Sequence, residues 1–330
     1  MKKLKIKFIY SLIILIFIML ISSCAKQTPQ KPTPKSDEPK QMPPVVEEME
    51  SEIISIMSAV DMIPYYKKQI EEKKKKDQEK KEFSKELAMG GQEGGNKGAD
   101  EGSQGGAPQN QMSQLESMIK FEPKPITIND ILLSDILKAE ATDKKDSSGQ
   151  KIPNDIAFMW HEINTKIGGL HKKWNSLESE VIKSGTSQES ISGFENTLNN
   201  LTISSSQYNF IDTLFYSNKL TLYIPDLIKN FKKKVPSPIY YMKYHLRQIV
   251  LDCRIKDYTK ASNNYNKLSI YKDAIVSQLI DKKLSPLANK LNTSIKDLEN
   301  ALMLKDLNII KIKASVVMSN IESVKEELSK

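Results

Sequence analysis

The chain has 330 residues and a formal net charge of +8, with 49 Lys and Arg residues against 41 Asp and Glu residues. Only two arginines occur, Arg247 and Arg254, and this argues against a nucleic-acid-binding protein, since such proteins use arginine forks to contact bases and phosphates. Cys24 and Cys253 are the two cysteines, so the sequence predicts neither a disulfide framework nor a Cys-x-x-Cys metal site.

The N-terminal segment, Met1–Ser23, has the organisation of a secretory signal. Lys2, Lys3, Lys5 and Lys7 form a positive segment, and a predominantly apolar region of 14 residues extends over Phe8–Ile21. A helix needs roughly 20 residues to cross the hydrocarbon core of a bilayer, so this run is short for a membrane-spanning helix. The pattern therefore predicts a signal peptide over residues 1–23.

The apolar run ends at Ile21-Ser22-Ser23-Cys24, an aliphatic residue and two small residues followed by cysteine. This tetrad resembles the lipobox of bacterial lipoprotein precursors. The resemblance implies a diacylglyceryl group on the Cys24 sulfur, cleavage before Cys24 and a protein anchored to the extracytoplasmic face of the cell membrane. Two acyl chains anchor a protein stably, whereas one gives marginal binding. The alternatives are an ordinary secreted protein and an uncleaved anchor helix.

Residues 24–44 combine prolines and charges without an apolar period, which predicts a disordered tether. Residues 45–88 are predicted to form a short amphipathic helix followed by a charged helix, with Pro64 interrupting the first pattern. The amphipathic stripe steps by three and four positions through Val46, Met49, Ile53, Ile56, Val60 and Ile63.

Two linkers follow in the sequence. Residues 89–111 are rich in glycine without the spacing of a phosphate-binding loop, so they predict a flexible linker and no nucleotide cofactor. Residues 112–152 carry a weak helical pattern and then a second linker, "EATDKKDSSGQK", which starts at Glu140. Whether residues 45–88 dock on the rest of the chain stays open at this point.

Residues 153–330 are predicted to form an all-α domain of antiparallel helical hairpins. The first helix ends at a stop signal, Lys183 followed by Gly185, and Thr186 and Glu189 match a capping box for the next helix. The first helix is predicted from a seam with steps of three and four positions, namely Ile156, Trp160, Ile163, Ile167, Leu170, Trp174, Leu177 and Val181.

The C-terminal third of the chain repeats itself. Ser237-Pro238 and Ser285-Pro286 each match a helix start with a serine N-cap and a proline at the first position. In each half the apolar stripe later slips by five positions, at "IKDY" and at "LKDL", which predicts a turn at each.

The segment "KDYTKASNNYNKL", Lys256–Leu268, resembles the second helix of a tetratricopeptide hairpin, and "KDLNIIKIKASVV", Lys305–Val317, matches it later in the chain. "SQYNFIDTLFYSN", Ser206–Asn218, matches more loosely. Tetratricopeptide units repeat every ~34 residues, and the spacing here is longer, so the members are irregular. The resemblance implies architecture only, helical hairpins packed side by side.

The three histidines give little support for a metal site. His161 and His171 lie ten positions apart on one predicted helix, about 15 Å at a rise of about 1.5 Å per residue, which is too far to share an ion. No His-Glu-x-x-His and no Gly-x-Ser-x-Gly motif occurs. The sequence predicts no metal, no cofactor and no enzymatic activity.

The best binding candidate is the helix that starts at Pro238. Tyr240, Tyr244 and Arg247 share one face of it and His245 flanks them, and Tyr and Arg are enriched at protein interfaces. The alternative is tyrosine packing between helices. His171 and Trp174, one helical turn apart, are a second candidate, although Trp174 also fits the core seam.

Together these features predict a lipid-anchored extracytoplasmic protein that binds an envelope protein or a wall polymer through its helices. The alternative is a lipoprotein that binds a small molecule or a metal for uptake or sensing. That alternative requires His161, His171 or His245 to converge with carboxylates.

Overall fold

The structure is a computed structural model that describes residues 40–90, 122–140 and 152–330. The predicted signal peptide, Cys24, the tether up to residue 39 and residues 91–111 of the Gly-rich linker lie outside these ranges, so their assignments stay predictions. None of the helices within the described ranges has the length and apolarity required to traverse a bilayer.

The described ranges are helical, as the sequence predicts, and contain no β-strand; Gln41 and Lys232 form an isolated β-bridge. Short turns join the helices from Ile156 onward, and successive helices there pack as antiparallel neighbours. The helices are α1 Pro44–Asp61, α2 Ile63–Gly90, α3 Ser134–Glu140, α4 Ile156–Lys183, α5 Gln188–Ser206, α6 Phe210–Leu227, α7 Ser237–Arg254, α8 Tyr258–Asp281, α9 Ser285–Leu304 and α10 Leu307–Leu328.

One turn geometry recurs in three hairpins, at Tyr208–Asn209, Lys256–Asp257 and Lys305–Asp306. The first residue of each pair has a φ between 55° and 62°, and the Asn or Asp that follows accepts backbone N–H groups of the next helix. The two turns predicted from the slipped stripes are confirmed, and the third recurs at nearly the same spacing. The sequence repeat is therefore a repeat of hairpin turns.

The predicted N-caps are wrong by one position. Ser187, rather than Thr186, caps α5 by accepting the Ser190 N–H. The hydroxyl of Thr186 instead donates to the Leu227 carbonyl at 3.3 Å, which ties this turn to the end of α6. Ser237 and Ser285 are the first residues of α7 and α9 rather than their caps, although the prolines lie in the first turn as expected.

The seam of α4 is confirmed. All of its members are buried except Ile156, which is partly buried. The Trp174 ring lies 4.5 Å from that of Phe194 on α5, centroid to centroid, and the Trp160 ring lies 5.5 Å from that of Tyr208. Both tryptophans therefore hold α4 against the α5–α6 hairpin.

The sequence-based boundary at residue 153 does not mark the start of the core. α1 packs against α4 and α6, and α3 packs against α10. The members of the predicted α1 stripe are each at most 6% exposed, and Leu133, Ile136 and Leu137 are also buried. Segments N-terminal to residue 153 thus contribute to the same core as the hairpins.

Over the residues of α2 whose side chains the structure describes, 63–85, the helix docks at its start. Ile63, Tyr65, Tyr66 and Ile70 are buried, whereas most of residues 71–85 are exposed. The Tyr65 hydroxyl donates to the Lys124 carbonyl at 2.8 Å. The exposed part of α2 is the solvated charged helix that the sequence predicts.

Asp61 joins the end of α1 to the start of α3. Its carboxylate is fully buried and accepts the backbone N–H groups of residues 132–134 at 2.7–2.9 Å and the Ser134 hydroxyl at 2.6 Å. The first amides of a helix have no partner within the helix. Asp61 supplies that partner for α3, so it positions the segment that carries Glu140.

We expect Asp61→Ala to destabilise the fold by about 3 kcal/mol or more, because it leaves several buried donors unsatisfied at about 1–3 kcal/mol each. Urea unfolding followed by circular dichroism measures the loss. Asp77→Ala on the exposed part of α2 is the matched control and should change the free energy of unfolding by less than about 0.5 kcal/mol. Equal effects of the two changes would contradict this role.

Candidate functional site

The polar side chains of α7 lie in the core of the protein. α6, α8 and α10 all pack against α7. As a result Lys243, His245, Arg247, Gln248 and Asp252 are each at most 8% exposed. Buried polar and charged groups are costly unless they are paired, so their partners decide which segments must surround α7.

Arg247 connects three helices. Its Nη1 donates to Glu140 Oε2 on α3 at 2.6 Å, its Nε to Asn218 Oδ1 on α6 at 2.8 Å and its Nη2 to Thr221 Oγ1 on α6 at 2.8 Å. The arginine is 1% exposed and Glu140 is 6% exposed. Burial opposes ionisation of Glu140, but the neighbouring Arg247 and Lys243 charges outweigh it and hold the pKa of Glu140 below its ordinary value.

Arg247 and Glu140 belong to a cluster of buried charges, which Lys243 extends to α10 and α1. Its Nζ lies 2.5 Å from Glu322 Oε1 and 3.4 Å from Glu140 Oε1, and Lys325 Nζ lies 2.9 Å from Glu322 Oε2. Glu50 on α1 lies nearby, partly buried, and burial raises its pKa although the Lys243 charge opposes the shift. α1, α3, α7 and α10 therefore all contribute charges to one cluster.

A second arm of hydrogen bonds runs from α6 through α7 to α8. Asn218 Nδ2 donates to Gln248 Oε1 at 3.0 Å, Gln248 Nε2 to Asp252 Oδ1 at 2.9 Å and Asn264 Nδ2 to Asp252 Oδ2 at 2.8 Å. His245 Nδ1 lies 2.8 Å from Asn264 Oδ1. Burial lowers the pKa of His245, although the bond to Asn264 opposes the shift, and this favours the neutral imidazole.

The network holds segments of the chain together. Cations on α7 and α10 face carboxylates on α1, α3 and α10, so each charge of the cluster has a neighbour of opposite sign. Loss of one partner from a buried pair costs about 3–5 kcal/mol, because the other charge stays buried without compensation. The cluster therefore fixes the N-terminal segments on the hairpins.

The predicted binding face of α7 lies inside this arrangement. Tyr240 and Arg247 are 9% and 1% exposed, His245 is 4% exposed and Tyr244 is partly buried. The His245 ring stacks on Tyr271 at a centroid distance of 5.7 Å. A partner would reach Arg247 only if α3 moved away.

His171 and Trp174 contact α5. His171 Nε2 lies 2.9 Å from Thr202 Oγ1, and Trp174 Nε1 donates to Glu195 Oε1 at 3.3 Å. His161, on the same helix, is exposed, so the three histidines share no site. Across residues 40–90, 122–140 and 152–330, no group of three or more His, Cys, Asp or Glu side chains could hold a metal ion.

Sequence reasoning missed Glu140, the partner of the buried arginine. Glu140 begins the "EATDKKDSSGQK" stretch that we interpreted as a linker, and the structure places it at the last position of α3. The signal was Arg247 itself, because an arginine on a largely apolar helix needs a buried carboxylate. The chain has 41 acidic residues, and the sequence does not indicate which of them pairs with Arg247.

A cavity of 210 Å³ opens at the end of the bundle where the three repeated turns meet. Phe210, Arg254 and Leu307, one beside each turn, line it together with Asp130 and Lys311. We call this end of the bundle the distal end. The Lys311 Nζ donates to backbone carbonyls of residues 128 and 131, and burial lowers its pKa although nearby acidic groups oppose the shift.

The distal end also exposes apolar side chains. They lie at the start of α4, in the last turn of α5 and in or next to the three repeated turns, and each is between 37% and 69% exposed. Tyr258 Oη donates to the Lys305 carbonyl at 3.0 Å, which holds two of these turns side by side. The exposed side chains are Phe158, Ile203, Tyr208, Ile255, Met303, Leu304 and Ile309.

Comparisons with known protein families, with curated proteins and with solved structures find no match to this chain.

We expect Glu140→Gln to lower the free energy of unfolding by about 3–5 kcal/mol at neutral pH, because Arg247 and Lys243 lose their shared carboxylate. The change should also alter the acid response. A carboxyl group whose pKa is depressed by folding stabilises the native state above its unfolded pKa, about 4.3, and this contribution disappears as the pH falls through the lower folded pKa.

Urea titrations at a series of pH values from neutral to well below the unfolded pKa test both points. The wild-type protein should lose stability on acidification more steeply than the variant. Glu180→Gln on the exposed side of α4 is the control and should leave the pH dependence of unfolding unchanged. If the free energies of unfolding of the wild type and of Glu140→Gln fell equally steeply with decreasing pH, the inferred ion pair would be contradicted.

Proposed function

We propose that this chain is a lipid-anchored extracytoplasmic interaction protein and that its distal end contacts the partner. The observation that carries the proposal is the group of exposed apolar side chains at the repeated turns. Among the described residues, seven of the thirteen large exposed apolar side chains lie at the distal end. Single exposed apolar residues are ordinary, whereas a group of them is typical of a protein interaction site. The anchor is supported by the signal sequence and by the lipobox resemblance at Cys24.

The position of the distal end suits this role. The described chain begins at Lys40, whose carbonyl accepts the N–H of Lys232 in the loop before α7, at the other end of the bundle. α7 has 18 residues and is therefore about 27 Å long. The repeated turns therefore lie at the end of the bundle opposite to Lys40, the first residue that the structure describes.

The chemistry of the distal end favours a protein partner. Ile255 and Leu304 each precede an exposed lysine, Lys256 and Lys305, so apolar surface alternates with positive charge. A complementary surface has an apolar centre and an acidic rim. We therefore infer an envelope protein rather than a wall polymer as the partner, and a binding role rather than an enzymatic one.

The alternative, a lipoprotein that binds a small molecule, would use the distal cavity. Its volume of 210 Å³ is below the range of about 300–1,000 Å³ that is typical of drug-sized ligand sites. The cavity therefore suits at most a small ligand. Its lining residues Arg254 and Lys311 would favour an anionic one.

Crosslinking and affinity capture from intact envelopes test the partner surface. We expect the double substitution Ile255→Glu and Leu304→Glu to reduce recovery of the partner by about tenfold or more, the effect of losing about 1.4 kcal/mol of binding free energy. Both side chains are exposed, 46% and 65%, so the fold should be unaffected.

The matched control is the pair Ile270→Glu and Ile280→Glu on α8, which are 67% and 55% exposed and add the same charge. The control should recover the partner normally. Equal recovery with the two double variants, or the absence of any reproducible partner, would contradict the proposal.

A separate measurement tests the anchor. Mass spectrometry of the protein purified from the membrane fraction should show a mature chain that starts at Cys24 and carries a diacylglyceryl group. Cys24→Ser should remove the added mass and move the protein out of the detergent phase. An intact leader on the wild-type protein would contradict the lipid anchor.

A further inference from the structure

The loop between α6 and α7 is strongly basic. Its sequence over residues 229–234 is "KNFKKK", with Lys229, Lys232, Lys233 and Lys234 and no acidic residue. We call this stretch the basic loop. α2 also carries many lysines, but Glu and Asp are interleaved with them, so its charge is partly compensated within the helix.

The lysines of the basic loop are available to an external anion. Lys229, Lys232 and Lys234 are exposed. Among the described residues, no carboxylate forms an ion pair with any of the four lysine Nζ atoms. Asp226 is an acidic group close enough to influence Lys233, and it accepts the Tyr241 hydroxyl at 2.7 Å.

The loop is held in place by the body of the protein. Phe231 is 5% exposed and packs in the core. A Cβ atom added at Gly185, in the α4–α5 turn, would lie 3.7 Å from Asn230 Nδ2, so this turn lies against the loop. The Lys233 Nζ donates to the Ser237 hydroxyl at 2.5 Å. Charges presented by such a fixed loop form a defined surface.

The basic loop lies beside Lys40, the first residue that the structure describes. The Lys232 backbone N–H donates to the Lys40 carbonyl at 2.7 Å. Residues 25–39 separate Lys40 from Cys24. Fifteen residues reach at most about 50 Å when fully extended. A lipid on Cys24 would thus leave the basic loop within reach of the membrane surface.

We propose that the basic loop binds the headgroups of anionic phospholipids and orients the body on the membrane. The inference rests on the lipid anchor of the proposed function and adds the surface that faces the bilayer. Clustered lysines near a membrane are attracted to its negative surface potential, which decays within a Debye length of about 8 Å at physiological salt. With the basic loop docked, the distal end points away from the bilayer.

The test uses the mature lipoprotein reconstituted into vesicles of phosphatidylcholine, with or without phosphatidylglycerol. Asn230→Cys places a fluorophore in the basic loop, since the native thiol of Cys253 is 2% exposed and Cys24 is acylated in the proposal. Lipids with a headgroup quencher report contact. We expect quenching at least about twofold stronger in the anionic vesicles, and its loss at about 1 M salt, where the Debye length is about 3 Å.

Substituting Lys229, Lys232 and Lys234 by Gln should reduce quenching in anionic vesicles to the level in neutral vesicles. The control is the triple change Lys172→Gln, Lys267→Gln and Lys290→Gln, which removes the same charge from exposed positions on α4, α8 and α9 and should keep the wild-type quenching.

Equal quenching in neutral and anionic vesicles, or quenching that survives the loop substitutions, would overturn this inference. Mass spectrometry of the same samples separates the two ideas. If Cys24 is acylated but quenching does not depend on the lipid charge, only the membrane-binding role of the basic loop is overturned. An unacylated Cys24 would overturn both the lipid anchor and that role.

Discussion

The fold depends on the ion pair between Glu140 and Arg247. The two residues are 107 positions apart in the sequence, and both are almost completely buried. The arginine lies in the middle of α7, where a charge without a partner would cost several kcal/mol. The hairpins formed by α4 to α10 therefore need α3, which carries Glu140, to pack over Arg247. Asp61 holds the start of α3, and α1 packs against α4 and α6, so α1 and α3 are integral to the core.

This constraint decides which surfaces are left for other molecules. Helical hairpins packed side by side often bind partners along a helix face, but here α1 covers parts of α4 and α6, and α3 covers part of α10. Within the described residues, both ends of the bundle keep exposed side chains, and the two ends differ in chemistry. One end has exposed apolar side chains around a small cavity, and the other has the basic loop beside Lys40. In the proposed function one end of the bundle faces the membrane and the other faces the partner. This arrangement requires two ends of different chemistry.

The helices with regular apolar stripes, such as α1 and α4, could be predicted from the sequence because each stripe is a local pattern. The turns at Lys256 and Lys305 could also be predicted, because a slip of the stripe is local as well. Features that depend on distant contacts could not be predicted. The cap of α5 is Ser187 because Thr186 bonds across to α6 instead. The role of Glu140 likewise depends on a contact with α7, and local periodicity carries no information about distant pairs.

The repeated turns themselves argue for a function at the distal end. At each turn, a residue with positive φ followed by an Asp or Asn N-cap satisfies the backbone hydrogen bonds. This geometry places no requirement on the side chain of the residue that precedes the positive-φ residue. Ile255 and Leu304 nevertheless occupy that position and are 46% and 65% exposed. Their exposure gains no burial energy in the folded chain, and a polar residue would fit the turn equally well. A surface that binds another protein gives these side chains a place to be buried, which neither the turn nor the core provides.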